Sequence, residues 1–336
     1  MNKEYDVIGI GNPLLDIIIE VDDGVLHGND LKKGEMHLVD GKQGKKILES
    51  LDTYAKAYVS GGSAANTVAG VALLGGKSSF VGVVGDDLHG AMYEEDMSKG
   101  GVHTNLHRHE SENTGYAITF VTRGGERTFA TCLGAAGCLR REHLSEDDIK
   151  KSKILHIEGY LLLGEETRET VLMAMKCAKK YDTLVSIDLS ASGVIRSHLD
   201  LIREIISEYV DIVFVNEEEA FALTGKSDVE ALHQISESCP IAVVKLGEKG
   251  SLVKRHGKVH AIDPHPVVMV NTNGAGDMYA AGFLHGLAQG HDTEVVGSVA
   301  SEVAGLVVSS EGARMHASHH GKIENILKKY KRHDDA

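Results

Sequence analysis

Six short runs rich in β-branched residues, DVIGIG, FVGVVG, KILHIEG, TLVSIDLS, DIVFVN and IAVVKLG, recur along the chain with helical stretches between them. Most are apolar on successive residues rather than on alternate ones, which is the pattern of strands buried on both faces of a parallel sheet. Between them the period changes. In EETRETVLMAMKCAKKY, Val171, Met175 and Ala178 fall at i, i+4 and i+7 with charges opposite. Strand–helix alternation sustained this long predicts a doubly wound α/β fold, with a mainly parallel central sheet and helices on both faces.

Two regions break that rhythm. Residues 13–50, beginning PLLDIIIEVDDG, read as short strands with Gly and Asp turns. Residues 103–136 contain GYAITFVT and ERTFATCL, joined by the hairpin signal Arg123-Gly124-Gly125-Glu126. The predicted organisation is a large α/β domain over 1–12, 51–102 and 137–336. A small β-sheet lid over 13–50 and 103–136 would cover a site. The terminal KKYKRHDDA reads as a charged helix end.

A formal net charge of −14 argues against nucleic acid as a partner, which would need a basic stripe. No window approaches the roughly 20 apolar residues of a membrane span, and MNKEYDVIGI lacks the apolar core of a signal peptide. Cys132, Cys138, Cys177 and Cys239 form no CxxC pair, so reduced thiols in a cytoplasmic protein are expected. The histidines of HRHE and HASHH lack a metal-ligand spacing.

The densest chemistry lies in NTNGAGDMYAAGF, residues 271–283. With the preceding HPVVMV it reads as strand, tight turn, and helix beginning near Gly274. Glycines at a helix start leave backbone N–H groups unshielded where the helix dipole adds positive charge, which makes an anion site. Asp277 falls in the first helical turn. An isolated Asp there could merely complement the dipole. Beside an anion hole it could instead take the proton of an attacking hydroxyl during phosphoryl transfer.

NTNGAGD closely resembles the D-T-x-G-A-G-D signature of the ribokinase-like, phosphofructokinase B-type kinases, a family of sugar and adenosine kinases. A second hallmark of that family, a Gly-Gly-plus-Asn segment, is matched by SGGSAANTVAGVALLGG at 60–76. The resemblance runs from about residue 5 to about 316. It implies that Asp277 is the base and that the amides of Gly274, Ala275 and Gly276 hold the transferred phosphate. Asn271 stands where the family usually carries Asp, near a monovalent-cation site, which leaves potassium stimulation open.

On the acceptor side the resemblance implies that Asp16, in GNPLLDIII, contacts sugar hydroxyls. Gly61 and Gly62 would close on the sugar with Asn66 as donor and acceptor. Leu133 and Ala135 match a purine pocket, and Leu14, Leu38 and Phe129 are apolar candidates in the lid. Taken by themselves, these residues could equally be strand edge, helix packing and core.

On the nucleotide side, Asn216 and Glu219 of FVNEEEAFALTG match an N-x-x-E pattern that organises Mg²⁺ through water, although bare spacing equally allows a plain helix start. Lys245, Gly247 and Gly250 of VVKLGEKGS match the loop near ATP. Arg127 could swing in with the lid or simply be an exposed hairpin Arg. No Walker A, D-F-G or G-x-G-x-x-G pattern occurs. The expectation is an ATP- and Mg²⁺-dependent kinase, monomeric or dimeric, acting on a nucleoside such as adenosine, with a free sugar as the alternative acceptor. A nucleotide or nucleoside sensor without turnover is the reading from another class.

Overall fold

The computed structural model describes residues 3–123, 127–310, 312–315 and 319–331. Their strands, in chain order, begin with β1 (Tyr5–Ile10), β2 (Leu14–Glu20), β3 (Met36–Leu38), β4 (Ala57–Gly61), β5 (Ser78–Gly85), β6 (His103–His109) and β7 (Gly115–Val121). They continue with β8 (Arg127–Cys132), β9 (Ser152–Glu158), β10 (Leu184–Asp188), β11 (Ile212–Asn216), β12 (Ile241–Lys245), β13 (Ser251–Arg255) and β14 (Lys258–Ile262). Nine form one sheet in the order β14-β13-β12-β11-β10-β9-β1-β5-β6, and five form a second in the order β3-β8-β7-β2-β4. In the large sheet β6 through β12 run parallel, and β13 and β14 close it as an antiparallel hairpin.

Unbroken apolar runs become central strands because both faces are covered. All eight residues of β5 are buried. Along β1, Val7 enters one core with Phe80, Phe214 and Phe283, while Ile8 and Ile10 enter the other with Leu155, Ile157 and Val213. The helix Glu165–Lys180 buries Val171, Met175 and Ala178, as its spacing predicts. The small residues after Asp277 lie in the helix Ala275–Ala288. A Cβ on Gly282 would stand 2.8 Å from the Ala300 backbone, and one on Gly70 would stand 2.6 Å from Ala281. Small side chains therefore let three helices pack closely on one face.

The small sheet has its own core, Ile17, Ile19, Leu26, Ile47, Ile118 and Phe120, beneath the helices Asp23–Gly28 and Gly41–Ser50. These helices correct the expectation of strands and turns alone over 13–50. The second of them is started by Asp40, whose side chain accepts from Gln43 N at 2.7 Å. Sheet membership also departs from the expected boundaries. Residues 57–61, placed with the large domain, pair antiparallel with β2 in the small sheet, Leu14 opposite Gly61. Residues 103–109, placed with the lid, extend β5 at the edge of the large sheet. The run HPVVMV is not a strand. With no strand paired to it among the described residues, the amides of Val270 and Asn271 pair with the helix-end carbonyl of Val308, and Val268 stays 83% exposed. The β7–β8 hairpin forms as its sequence suggests, although turn residues 124–126 lie outside the described residues. So do His316 and the terminal residues 332–336.

The chain passes from β1 to β5 and β6, then returns to β9 on the other side of β1. This switch point opens a crevice beyond the carboxyl ends of the strands, where open α/β sheets bind ligands. Asn12, Glu158, Asp188, Asn216 and Lys245 all stand at or just past those ends.

Candidate active site

Gly274 caps the helix Ala275–Ala288 with φ 74°, and a Cβ there would fall 2.0 Å from the Ala313 carbonyl oxygen. Only glycine fits this turn. Asn271 shapes the same turn, its Oδ1 accepting from Asn273 N at 2.8 Å and its amide donating to Gly312 O at 2.7 Å. The Ala275 N–H leans back on Thr272 O at 3.3 Å, so among the expected donors Gly274 and Gly276 are the ones whose amides carry no bond within the described residues. The amide of Asp277 likewise carries no bond within the described residues.

The Asp277 carboxylate accepts from Ser63 Oγ at 2.7 Å and from Asn66 Nδ2 at 2.8 Å. Burial raises its pKa to about 6. The two hydrogen bonds oppose that rise, Asp188 adds to it, and Lys245 opposes it. A carboxyl poised near neutral pH suits general-base work.

Lys245 leaves the end of β12 and pairs with Asp188 at 2.6 Å, both side chains largely buried. Burial works against its charge, but Asp188 and Glu219 outweigh that and raise its pKa. A Cβ on Gly276 would stand 3.1 Å from its Nζ, so the ammonium sits beside the bare amides rather than out in the loop with Gly247 and Gly250. Those two glycines form the turn between β12 and β13.

Asn216 and Glu219 form a reciprocal cap on the helix Glu217–Thr224. Asn216 N and Nδ2 donate to Glu219 Oε2 and Oε1, and Glu219 N donates back to Asn216 Oδ1. Glu219 is 2% exposed, and burial followed by Asp188 pushes its pKa up. Each of its oxygens keeps a second lone pair, so the pair fits an ion that retains its water shell, as Mg²⁺ does. Among the described residues no three His, Cys, Asp or Glu side chains converge to grip a metal directly.

On the facing side Asp16 projects from β2. A Cβ on Gly61 would meet its Oδ2 at 2.6 Å, so the absence of a side chain there is what admits the carboxylate. Gly62 follows with φ 95° at the start of the helix Ser63–Leu73. Burial raises the Asp16 pKa to about 7. Arg314 opposes this, Asp277 reinforces it, and Arg127 also opposes it. The register places Leu14, Asp16 and Ile18 on the same sheet face as Val59, Phe129, Arg127, Met36 and Leu38. The opposite face holds the Ile17–Phe120 core. Arg127 Nη1 is buried without a partner. Leu133 is half-buried near this face, whereas Ala135 is fully buried among Ile8, Ile10 and Leu139 in the large-domain core and lines no open surface. The short helix Gly134–Cys138 turns it inward.

Residues absent from the sequence reading complete the site, Ser63 on Asp277 and Asn12 on Glu158 among them. Asp188 holds Lys245. Glu158, 1% exposed, accepts from Asn12 N, Asn12 Nδ2 and Ala64 N at 2.9, 2.6 and 2.9 Å. Arg314, 8% exposed, donates to Asn66 Oδ1 at 2.6 Å. Asp188 and Glu158 stand at the carboxyl ends of predicted parallel strands, a signal that would have flagged them.

A sequence profile of the pfkB family carbohydrate kinases matches residues 54–319. Adenosine kinase 2 of Arabidopsis thaliana is 28% identical over 336 residues, covering 93% of this chain and 96% of its own. The 5-dehydro-2-deoxygluconokinase of Bacillus subtilis is also 28% identical, over 97% of this chain and 96% of its own. The crystal structure of adenosine kinase from Sinorhizobium meliloti superposes with a TM-score of 0.90 at 33% identity, covering 96% of this chain and 99% of that one.

Proposed function

The chain belongs to the pfkB family of carbohydrate kinases, and from that premise we propose that it phosphorylates the primary hydroxyl of a nucleoside, foremost the 5′-OH of adenosine. The hydroxyl oxygen attacks the γ-phosphorus of ATP, its proton passes to Asp277, and the bond to the bridging oxygen breaks to release ADP and AMP. The observation that carries this is the placement of the Asp277 carboxylate beside the bare amides of Gly274 and Gly276 and the Lys245 ammonium. Those groups oppose the charge that gathers on the transferred phosphoryl. Glu219 with Asn216 would hold the water shell of Mg²⁺, which would supply charge neutralisation to the phosphates.

For the acceptor, Asp16 can accept from two neighbouring hydroxyls while the apolar face of Leu14, Ile18, Leu38, Val59 and Phe129 offers a flat surface to a base. The adenosine kinase relatives support this choice. A free sugar acid is the second reading, and the 5-dehydro-2-deoxygluconokinase relatives at equal identity favour it. A cytoplasmic setting agrees with four free thiols.

The test is ADP release with Mg·ATP against adenosine, other nucleosides, ribose, fructose and 5-dehydro-2-deoxygluconate, with products identified by mass. Adenosine-dependent ADP together with AMP upholds the reading. Release with a sugar alone moves the acceptor and keeps the chemistry. Release without any acceptor dependence overturns both.

A further inference from the structure

We propose that Arg314 is a positioning residue: it holds the Asn66 side-chain amide in the orientation that donates to Asp277. The inference rests on the reading of Asp277 as the base. A guanidinium has donors only, so the Asn66 atom that meets Arg314 Nε at 2.6 Å must be the amide oxygen. The NH₂ group is thereby turned to Asp277 Oδ2, 2.8 Å away. Rotated by half a turn, the same amide would present an oxygen to the carboxylate and repel it.

The segment carrying Arg314 is docked on the phosphate turn itself, through Asn271 Nδ2 to Gly312 O and through the contact of Gly274 with the Ala313 carbonyl. From there the guanidinium crosses to the acceptor side, where Nη2 donates to Gly61 O at 3.3 Å and Nη1 meets Asp96 at 3.4 Å. Tyr93, fully buried, donates to the same Gly61 carbonyl at 2.8 Å. One buried cation therefore joins the turn that would hold the phosphate to the residues that would hold the hydroxyl. The groups around Asp277 are Ser63 and Asn66 from the helix Ser63–Leu73, Asp188 ending β10, Lys245 ending β12, Glu158 ending β9, Asp16 in β2, and Tyr160 just after β9, whose hydroxyl donates to Ser190 O. Three of these are carboxylates that disfavour its ionised form, so losing the Asn66 donor has no nearby replacement other than Ser63 and Lys245.

The experiment uses the full chain with Arg314→Met and Arg314→Lys, each also on an Asn66→Ala background. Two readouts are taken: an infrared pH titration of the Asp277 carboxylate, assigned by difference from Asp277→Asn, and the pH profile of kcat/KM. Arg314→Met is expected to move both the carboxylate titration and the acid limb up by about one pH unit, a tenfold loss of ionised base at low pH. Arg314→Lys, which keeps a donor, returns them toward wild type, and neither substitution has any effect once Asn66 is Ala. An unmoved carboxylate titration, or effects that add to Asn66→Ala, would overturn the proposal. If Arg314→Met does not fold, Arg314→Lys decides alone: a small upward shift that vanishes on the Asn66→Ala background upholds it, and no shift or an additive one overturns it. The titration needs no substrate. A shifted carboxylate with an unshifted kinetic limb therefore upholds the positioning and refutes Asp277 as base.

Discussion

At the residue scale, Asp277 as the proposed base would tie activity and stability to pH in opposite directions. Its folded pKa of about 6 lies above the unfolded value near 4, so a base that must be ionised loses activity as pH falls through 6. The acid limb of kcat/KM should therefore have its midpoint near that value. The same raised pKa means that the group contributes stability below pH 4 and loses it as pH rises through 6. Asp277→Asn is accordingly expected to raise the melting temperature relative to wild type at pH 8 and not at pH 4, as calorimetry at both pH values would show. Lys245→Met removes the cation beside the amides and leaves Asp188 buried without its partner. We expect kcat to fall by about 10²-fold or more, together with about 3–5 kcal/mol of stability. Stopped-time kinetics and urea unfolding separate the two effects.

At the element scale, Glu158 joins the end of β1 to the start of the helix that carries Ser63 and Asn66, because its carboxylate receives two backbone N–H groups and one amide. Glu158→Gln puts an NH₂ group against those donors. It should cost about 1–3 kcal/mol in urea denaturation and slow turnover through misplaced Ser63 and Asn66. Much of this level was legible in the sequence. The strand runs, the helix Glu165–Lys180 and the glycine turn at 274 each carry their signal within about 15 contiguous residues. Other elements were not legible, for physical reasons. The helix Gly41–Ser50 carries only two large apolar side chains, the adjacent Ile47 and Leu48, and its start rests on one Asp40 cap. Residues 57–61 look like any short strand, and only pairing with β2 assigns them to the small sheet. HPVVMV has strand composition, but its amides at either end bond to Ser301 and to the helix-end carbonyl of Val308 rather than to a strand.

At the scale of the whole molecule, the site is made by parts far apart in sequence. Asp277, Lys245, Asn216 and Asp16 could be named because each sits in a local motif. Arg314 could not, since its partner Asn66 lies 248 positions away and nothing near it marks a site. The small sheet presents Leu38, 51% exposed, on the face shared with Asp16, and closure over substrate should cover it. The chain has no tryptophan, so Leu38→Trp gives a single reporter. Its emission should shift to the blue when adenosine and a non-hydrolysable ATP analogue bind together, and stay unchanged if the sheet is fixed. The central claim is that Asp277 takes the proton of the acceptor hydroxyl beside an amide-lined phosphate site. Its most direct test is the single-turnover rate of Asp277→Asn with Mg·ATP and acceptor at pH 7.5, alongside the acceptor's dissociation constant. The account predicts a rate lowered by about 10²–10⁴-fold with acceptor binding nearly unchanged. A variant that turns over at the wild-type rate would contradict it.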